Sequence, residues 1–345
     1  MDSYIIILYV NLFTLMNYFI IDKEKWDKYL EKSLLSYEIF APASNEFSQD
    51  YELLTPDKID KISYNKPKPV TPLKSFFLPV KENVTTERNT SKPRIILGTP
   101  NCDIAALSIL DEIYLDNNFE DLFYRQRREN TIIISSDCFS TQEHCHCLSY
   151  GIKPYATNNA DLSIILNDGF IFLRVLTGKG EMLIRQAEGA APVSDNSSVA
   201  FIESLHMGTE TKLRDSNAGL PDYQTTGSLV KASKKETWKK YSSSCVSCGA
   251  CTTICPTCSC FLLIDKPGFH KVKQMDACQY PGFERVAGGE DALHGISDRF
   301  RNRYMCKYVW KPKRFKSIAC TGCGRCIEAC IGKINKNELF MELAK

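Results

Sequence analysis

The sequence predicts an α+β chain: an N-terminal mixed α/β domain, then a mainly helical domain organised around cysteine. Three observations carry this. Short apolar runs at residues 94–98 and 131–135 bracket a segment of helical spacing. Two further apolar runs, residues 162–166 and 170–176, are joined by the turn Asn167-Asp168-Gly169. Of sixteen cysteines in 345 residues, ten fall in two short stretches, from Cys245 to Cys260 and from Cys320 to Cys330. At about 150 residues per domain the length allows two domains. With 43 basic and 41 acidic residues the formal charge is +2, so no global basic field points to nucleic acid.

The first twenty-one residues are strongly apolar but carry Asp2, no Lys or Arg and no small-residue cleavage site, and Asn11, Thr14 and Asn17 interrupt them. They read as neither a signal peptide nor a membrane span. A start of translation at Met16 is the simpler reading, followed by an amphipathic helix over residues 23–37 with Trp26, Tyr29, Leu30 and Leu34 on one face. Residues 1–37 are therefore an N-terminal apolar extension and helix.

Residues 38–190 form the mixed α/β domain. A Lys/Pro-rich stretch over 58–93, with Pro67, Pro69, Pro72 and Pro79, reads as extended chain wrapped on a surface. A strand at 94–98, a helix over 103–115 with Asp103 as N-cap and a strand at 131–135 make a βαβ unit. The runs around Gly169 make a hairpin. Residues 191–237 are rich in Ser, Ala, Thr and Lys and read as a polar linker. Residues 238–345 form the second domain, where Phe300, Tyr304 and Tyr308 mark a helix.

Cys245-x2-Cys248-x2-Cys251-x3-Cys255-Pro256 and Cys320-x2-Cys323-x2-Cys326-x3-Cys330 are one pattern written twice. This is the run of two-cluster ferredoxins, in which three close cysteines bind one [4Fe-4S] cubane and the fourth binds the other. Cys245, Cys248, Cys251 and Cys330 are expected at one cluster, and Cys320, Cys323, Cys326 and Cys255 at the second, giving a 4Fe-4S dicluster, ferredoxin-like core. Paired zinc sites leave the repeated spacing unexplained. Ile331 stands where the ferredoxin run usually has proline.

The first domain holds Cys102, Cys138, Cys145 and Cys147. Cys102 and Cys138 follow the carboxyl ends of two expected parallel strands, where binding crevices lie, and Cys102 precedes a helix N-terminus that lowers a thiol pKa. These four are the candidate ligands of a third [4Fe-4S] cluster, with a zinc site using His144 or His146, or unligated thiols, as alternatives. Cys258, Cys260, Cys278 and Cys306 are left over and read as packing or cluster-adjacent thiols. Residues 299–316 carry eight cations and no acid. They form either a solvated face or a positive field that raises a cluster's potential or docks an acidic partner.

There is no Gly-x-Gly-x-x-Gly after a strand, no Walker loop and no nucleophile with its base, so the chemistry left is one-electron transfer between clusters. The segments Asn101-Cys-Asp103, Leu110-Asp-Glu-Ile-Tyr-Leu115, Tyr124-Arg-Gln-Arg-Arg128, Cys145-His-Cys147, Cys255-Pro-Thr-Cys258 and Ala287-Gly-Gly289 together resemble the iron-sulfur subunit of anaerobic sulfite reductase, from Met16 onward. The related beta subunit of soluble nickel-iron hydrogenases shares much of this pattern. Cys306-Lys307 departs from it, since the family tends to have His-Lys there.

The resemblance implies a non-catalytic, cytoplasmic electron-transfer subunit. It would relay electrons from a flavin- and NADH-binding partner to a sirohaem subunit that reduces sulfite to sulfide. The alternatives are the same relay in a NAD(P)-linked nickel-iron hydrogenase, a free-standing ferredoxin-like carrier, or a metal-bound scaffold without redox work.

Overall fold

The structure, a computed structural model, describes residues 17–44, 48–85 and 92–345. The apolar extension up to residue 16, and with it the start at Met16, lies outside the described residues. No helix among the described residues is long and apolar enough to cross a membrane.

Strands β1 (Tyr18–Asp22), β2 (Glu38–Ser44), β3 (Gln49–Leu53), β5 (Arg94–Thr99), β6 (Thr131–Ser136), β7 (Leu162–Asn167), β8 (Phe170–Val175) and β9 (Ala191–Pro192) form one sheet in the order β3-β2-β5-β6-β7-β8-β1-β9. Its centre, β2-β5-β6-β7, is parallel, as the βαβ reading expects, and β7-β8 is the expected hairpin. Asp168 and Gly169 both have positive φ, the conformation a two-residue hairpin turn needs. The apolar stretch Tyr18–Ile21 is strand β1, paired with β8, a role the sequence pattern did not suggest.

The central strands are apolar without alternation because both faces are covered. Ile95, Leu97, Ile132 and Ile134 pack with Trp26 and Leu30 of α1 (Lys23–Ser33). On the other face Ile96 and Ile133 pack with Ile104, Leu107 and Leu110 of α2 (Asn101–Tyr114) and Tyr124 of α3 (Leu122–Glu129). Leu183 and Ile184 of α4 (Gly178–Gln186) join the first face.

The stretch expected as a polar linker is instead helical over α5 (Asn196–Ser216). Val199, Ile202, His206, Thr209 and Leu213 recur at helical spacing and are buried. Val199 and Ile202 pack on Tyr18, Ile165 and Phe172. Average polarity hid a one-sided stripe.

After α6 (Thr226–Ala232), α7 (Lys235–Ser242) and the single turn α8 (Ala250–Thr253), helix α9 (Ile296–Met305) runs through a π-helical turn (Cys306–Trp310) into α10 (Lys311–Phe315). The turn α11 (Arg325–Glu328) and helix α12 (Lys336–Leu343) complete the chain. Phe300, Tyr304 and Tyr308 form the expected stripe and pack with Trp238, Leu339 and Phe340.

The two halves are sewn together by the Lys/Pro-rich stretch, which includes β4 (Lys81–Asn83). β4 pairs with β11 (His270–Met275), itself paired with β10 (Phe261–Lys266), so a strand from each half shares a sheet. Asp103 is not the N-cap of α2; Pro100 is. Asp103 lies in the first helical turn, where one carboxylate oxygen accepts from the Leu73 N–H at 3.1 Å and both accept from the Arg325 guanidinium. Arg325 also donates twice to the Pro69 carbonyl.

This ion pair is fully buried. Removing one partner strands the other charge, at a cost of about 3–5 kcal/mol. Asp103→Asn should lower unfolding stability by that order in denaturant titration, and a loss under about 1 kcal/mol would remove the pair's role as the clasp between the halves.

Candidate metal centres

Each cysteine run folds as a tight loop followed by one helical turn. Gly249 and Gly324 take left-handed φ of 72° and 78° immediately before α8 and α11, which brings Cys251 and Cys326 into those turns. Gly322 and Gly324 are also required by close approach: a Cβ at either would stand 2.3 or 2.4 Å from the carbonyl oxygen of His146 or His144. There the second run meets the first domain, with the His146 N–H donating to the Gly322 carbonyl at 2.8 Å.

The cysteines of the two runs line two cavities. Cys245, Cys248, Cys251 and Cys330 line one cavity, together with Cys326. Cys255, Cys320, Cys323 and Cys326 line a second. The fourth cysteine of each run thus crosses to the other loop's cavity. Cys102, Cys138, Cys145 and Cys147 line a third cavity, with Gly322 and Cys323 as its far wall. Adjacent parallel strands β5 and β6 set Cys102 and Cys138 side by side, and residues 145–147 close the cavity from the loop after β6. The cavities form a row, the first and second sharing Cys326 and the second and third sharing Cys323.

His146 does not face the third quartet. It lines the second cavity, its Nδ1–H donating to the His144 carbonyl at 2.7 Å and its Nε2 accepting from Lys336 at 2.8 Å. Burial and the Lys336 ammonium hold its pKa below the usual range, so the ring is neutral. The expectation that a helix N-terminus lowers the Cys102 pKa is also corrected. Burial, reinforced by the Asp103 carboxylate, pushes that thiol well up.

Among the described residues eight lysines and arginines are buried, against three acids, Glu82, Asp103 and Asp137. Lys273 takes Glu82, Arg325 takes Asp103, and Asp137 pairs with His206. Lys74, Arg299, Arg303, Lys307 and Lys336 are left without a carboxylate among the described residues; Arg299 is satisfied by the Gln279, Leu293 and His294 carbonyls and the Ser247 hydroxyl, and beside the other four lies sulfur. Lys307 Nζ stands 3.0 Å from Cys255 Sγ, and Lys336 Nζ 3.7 Å from Cys320 Sγ. Lys68 Nζ reaches Cys145 Sγ at 3.9 Å and Glu328 at 2.8 Å.

The cysteines answer in kind. Contact with Cys258 and the Lys307 ammonium hold the Cys255 thiol well below its usual pKa against the effect of burial. Burial opposes ionisation of Cys320, yet the Lys336 and Lys307 ammonium groups bring it well down. Arg303 Nε and Thr321 Oγ1, both bordering the second cavity, are buried without a protein hydrogen-bond partner. Anionic sulfur-rich cores in these cavities would satisfy both the charge and the stranded N–H and O–H groups.

No three Cys, His, Asp or Glu side chains among the described residues converge closely enough to hold a single metal ion. Of the basic segment 299–316, Arg299, Arg303 and Lys307 form a buried stripe four residues apart, while Lys313, Arg314 and Lys316 are exposed. The segment is thus divided between a buried stripe that runs along α9 into the π-helical turn and an exposed stretch in and after α10. Lys68, Lys74 and Lys336 lie outside it in the chain, and no local pattern marked them.

Residues 244–334 match the family model of the 4Fe-4S dicluster domain. The chain is also 27% identical over 340 residues to sulfhydrogenase 2 subunit beta of Pyrococcus furiosus, an alignment covering 95% of this chain and 98% of that one. The chain thus carries a C-terminal segment that matches the 4Fe-4S dicluster domain and is similar along nearly its whole length to a sulfhydrogenase beta subunit.

Proposed function

We propose that this chain is the electron relay of a hydrogen-linked, multi-subunit oxidoreductase, passing single electrons between a flavin-containing, NAD(P)-linked partner and a nickel-iron partner. The observation that carries the relay is the row of three cysteine-lined cavities with shared walls. The whole-length similarity to a sulfhydrogenase beta subunit favours hydrogen over sulfite as the terminal couple. The sulfite reading rests on the motif resemblance and differs only in the catalytic partner.

In this proposal Cys245, Cys248, Cys251 and Cys330 hold one [4Fe-4S] cluster, Cys320, Cys323, Cys326 and Cys255 the next, and Cys102, Cys138, Cys145 and Cys147 a third. Bound clusters supply one-electron chemistry without proton transfer or bond exchange. The chain's own contribution is electrostatic and steric. Lys307 and Lys336 donate to ligand sulfurs, the backbone N–H of Ile334 lies 3.3 Å from Cys330 Sγ, and Tyr304 and Tyr308 wall the clusters from water. Second-shell donors of this kind set potential.

Three outcomes are expected. Cys248→Ala should lose about four irons per chain in anaerobic iron and sulfide counting, and an unchanged count would sink the ligand assignment. Lys307→Met removes a positive charge beside Cys255 and should shift the second cluster's potential downward, on the order of 100 mV, in a titration followed by electron paramagnetic resonance. Affinity purification of the native complex should bring down nickel, and hydrogen should reduce the chain's clusters. Co-purifying sirohaem, with reoxidation by sulfite and not by protons, would reverse the choice of partner.

A further inference from the structure

Four cysteines remain outside the three quartets, and the fold collects them. We propose that Cys258, Cys260, Cys278 and Cys306 form a fourth tetrathiolate site that holds another iron-sulfur cluster beside the second. This rests on the reading of the chain as an iron-sulfur relay and is independent of its partners.

The β10–β11 hairpin supplies the first pair. Its ladder ends at Phe261 opposite Met275, and the Asp276 N–H extends it by donating to the Cys260 carbonyl at 3.0 Å. Cys260 and Cys278 therefore meet at the hairpin base, their side chains in hydrogen-bond contact. Gln279 then ties this base to α9, its amide donating to the Arg299 carbonyl at 2.8 Å while Arg299 Nε returns a bond to the Gln279 carbonyl at 3.1 Å. Cys306 lies about two turns further along the same helix. Cys258 and Cys306 are both electrostatic neighbours of Cys260. All four are free thiols, and Cys258 and Cys278 are buried.

Packing thiols need no counter-charge, and this group has one. Lys74 is buried, and among the described residues no carboxylate pairs with it. Its Nζ donates to the Cys258 carbonyl at 2.9 Å and to the Thr252 carbonyl at 3.4 Å, and its electrostatic neighbours include Cys258 and Cys260. Arg303 is a neighbour of Cys258 and of Cys278. Burial lowers the Lys74 pKa while Cys258 and Cys260 oppose that shift, so an anionic core held by these cysteines would favour its charged form. As at the other quartets, the sulfurs do not converge on one point as single-ion ligands do. Cys258 also contacts Cys255, a wall of the second cavity, which places the fourth site next to the row.

The test uses the full chain, purified anaerobically, with iron, sulfide and zinc counted together. The expected result is about sixteen irons per chain, falling to about twelve in Cys260→Ala and in Cys278→Ala. The spectrum of the reduced second cluster should also lose the relaxation broadening that a neighbouring paramagnet causes. About twelve irons in the parent, unchanged by these substitutions while Cys248→Ala still removes four, would overturn the fourth site and leave the relay standing. Loss of one zinc and no iron would overturn the cluster. A variant that loses far more than four irons has unfolded, and Cys306→Ala, on a partly exposed helical face, then decides by the same count. Fewer than about eight irons in the parent would count against the relay itself.

Discussion

A lysine or arginine is seldom buried unless something anionic or a set of carbonyls lies beside it, and that constraint organises the cysteine half of this chain. Lys307, Lys336 and Arg303 project from two helices into the space between the cysteine loops, where the protein offers sulfur and no carboxylate. The aromatic stripe of α9 and the buried cationic stripe beside it are two consequences of one helical period, one face meeting Trp238 and Phe340 and the other the ligand loops. The helix carries both jobs because the stripes lie on neighbouring faces.

The second cavity is the hub. It shares Cys326 with the first and Cys323 with the third, and Cys255 leads from it to the unassigned quartet. The parallel sheet positions Cys102 and Cys138 from one side, and the duplicated loops approach from the other. Gly322 and Gly324 let those surfaces meet at backbone distance. The Asp103–Arg325 pair sits at this junction, one residue from Cys102 and from Cys326, so the same bond that joins the halves also fixes ligands of two cavities. The large first domain is thus one wall of the row, which a small diffusible carrier would not need.

Much of this was legible in the residues. The repeated cysteine spacing grouped the cysteines that line two cavities, because a tight loop with a fixed period leaves few geometries. The strand-end positions of Cys102 and Cys138 followed from the βαβ pattern. What was not legible depends on packing between distant segments. Residues 196–216 looked like a linker because their composition averages a buried stripe with an exposed one. Asp103 looked like an N-cap because its partner Arg325 lies far along the chain. Lys68, Lys74 and Lys336 looked like ordinary surface lysines, since burial of a cation is decided by its neighbours in space. Cys258, Cys260, Cys278 and Cys306 follow no single spacing, and only the hairpin base and the helix beside it bring them together.

The unmatched cations also bear on how such a chain ages. If thiolate-bound cores are the counter-ions of its interior, as proposed, oxidative loss of iron would leave Lys307, Lys336 and Arg303 in a low-dielectric space with nothing opposite in sign. The helix that carries Lys307 and Arg303 would become the least stable part of the molecule and the first to open. Loss of the cores would then register as a loss of structure as well as of colour.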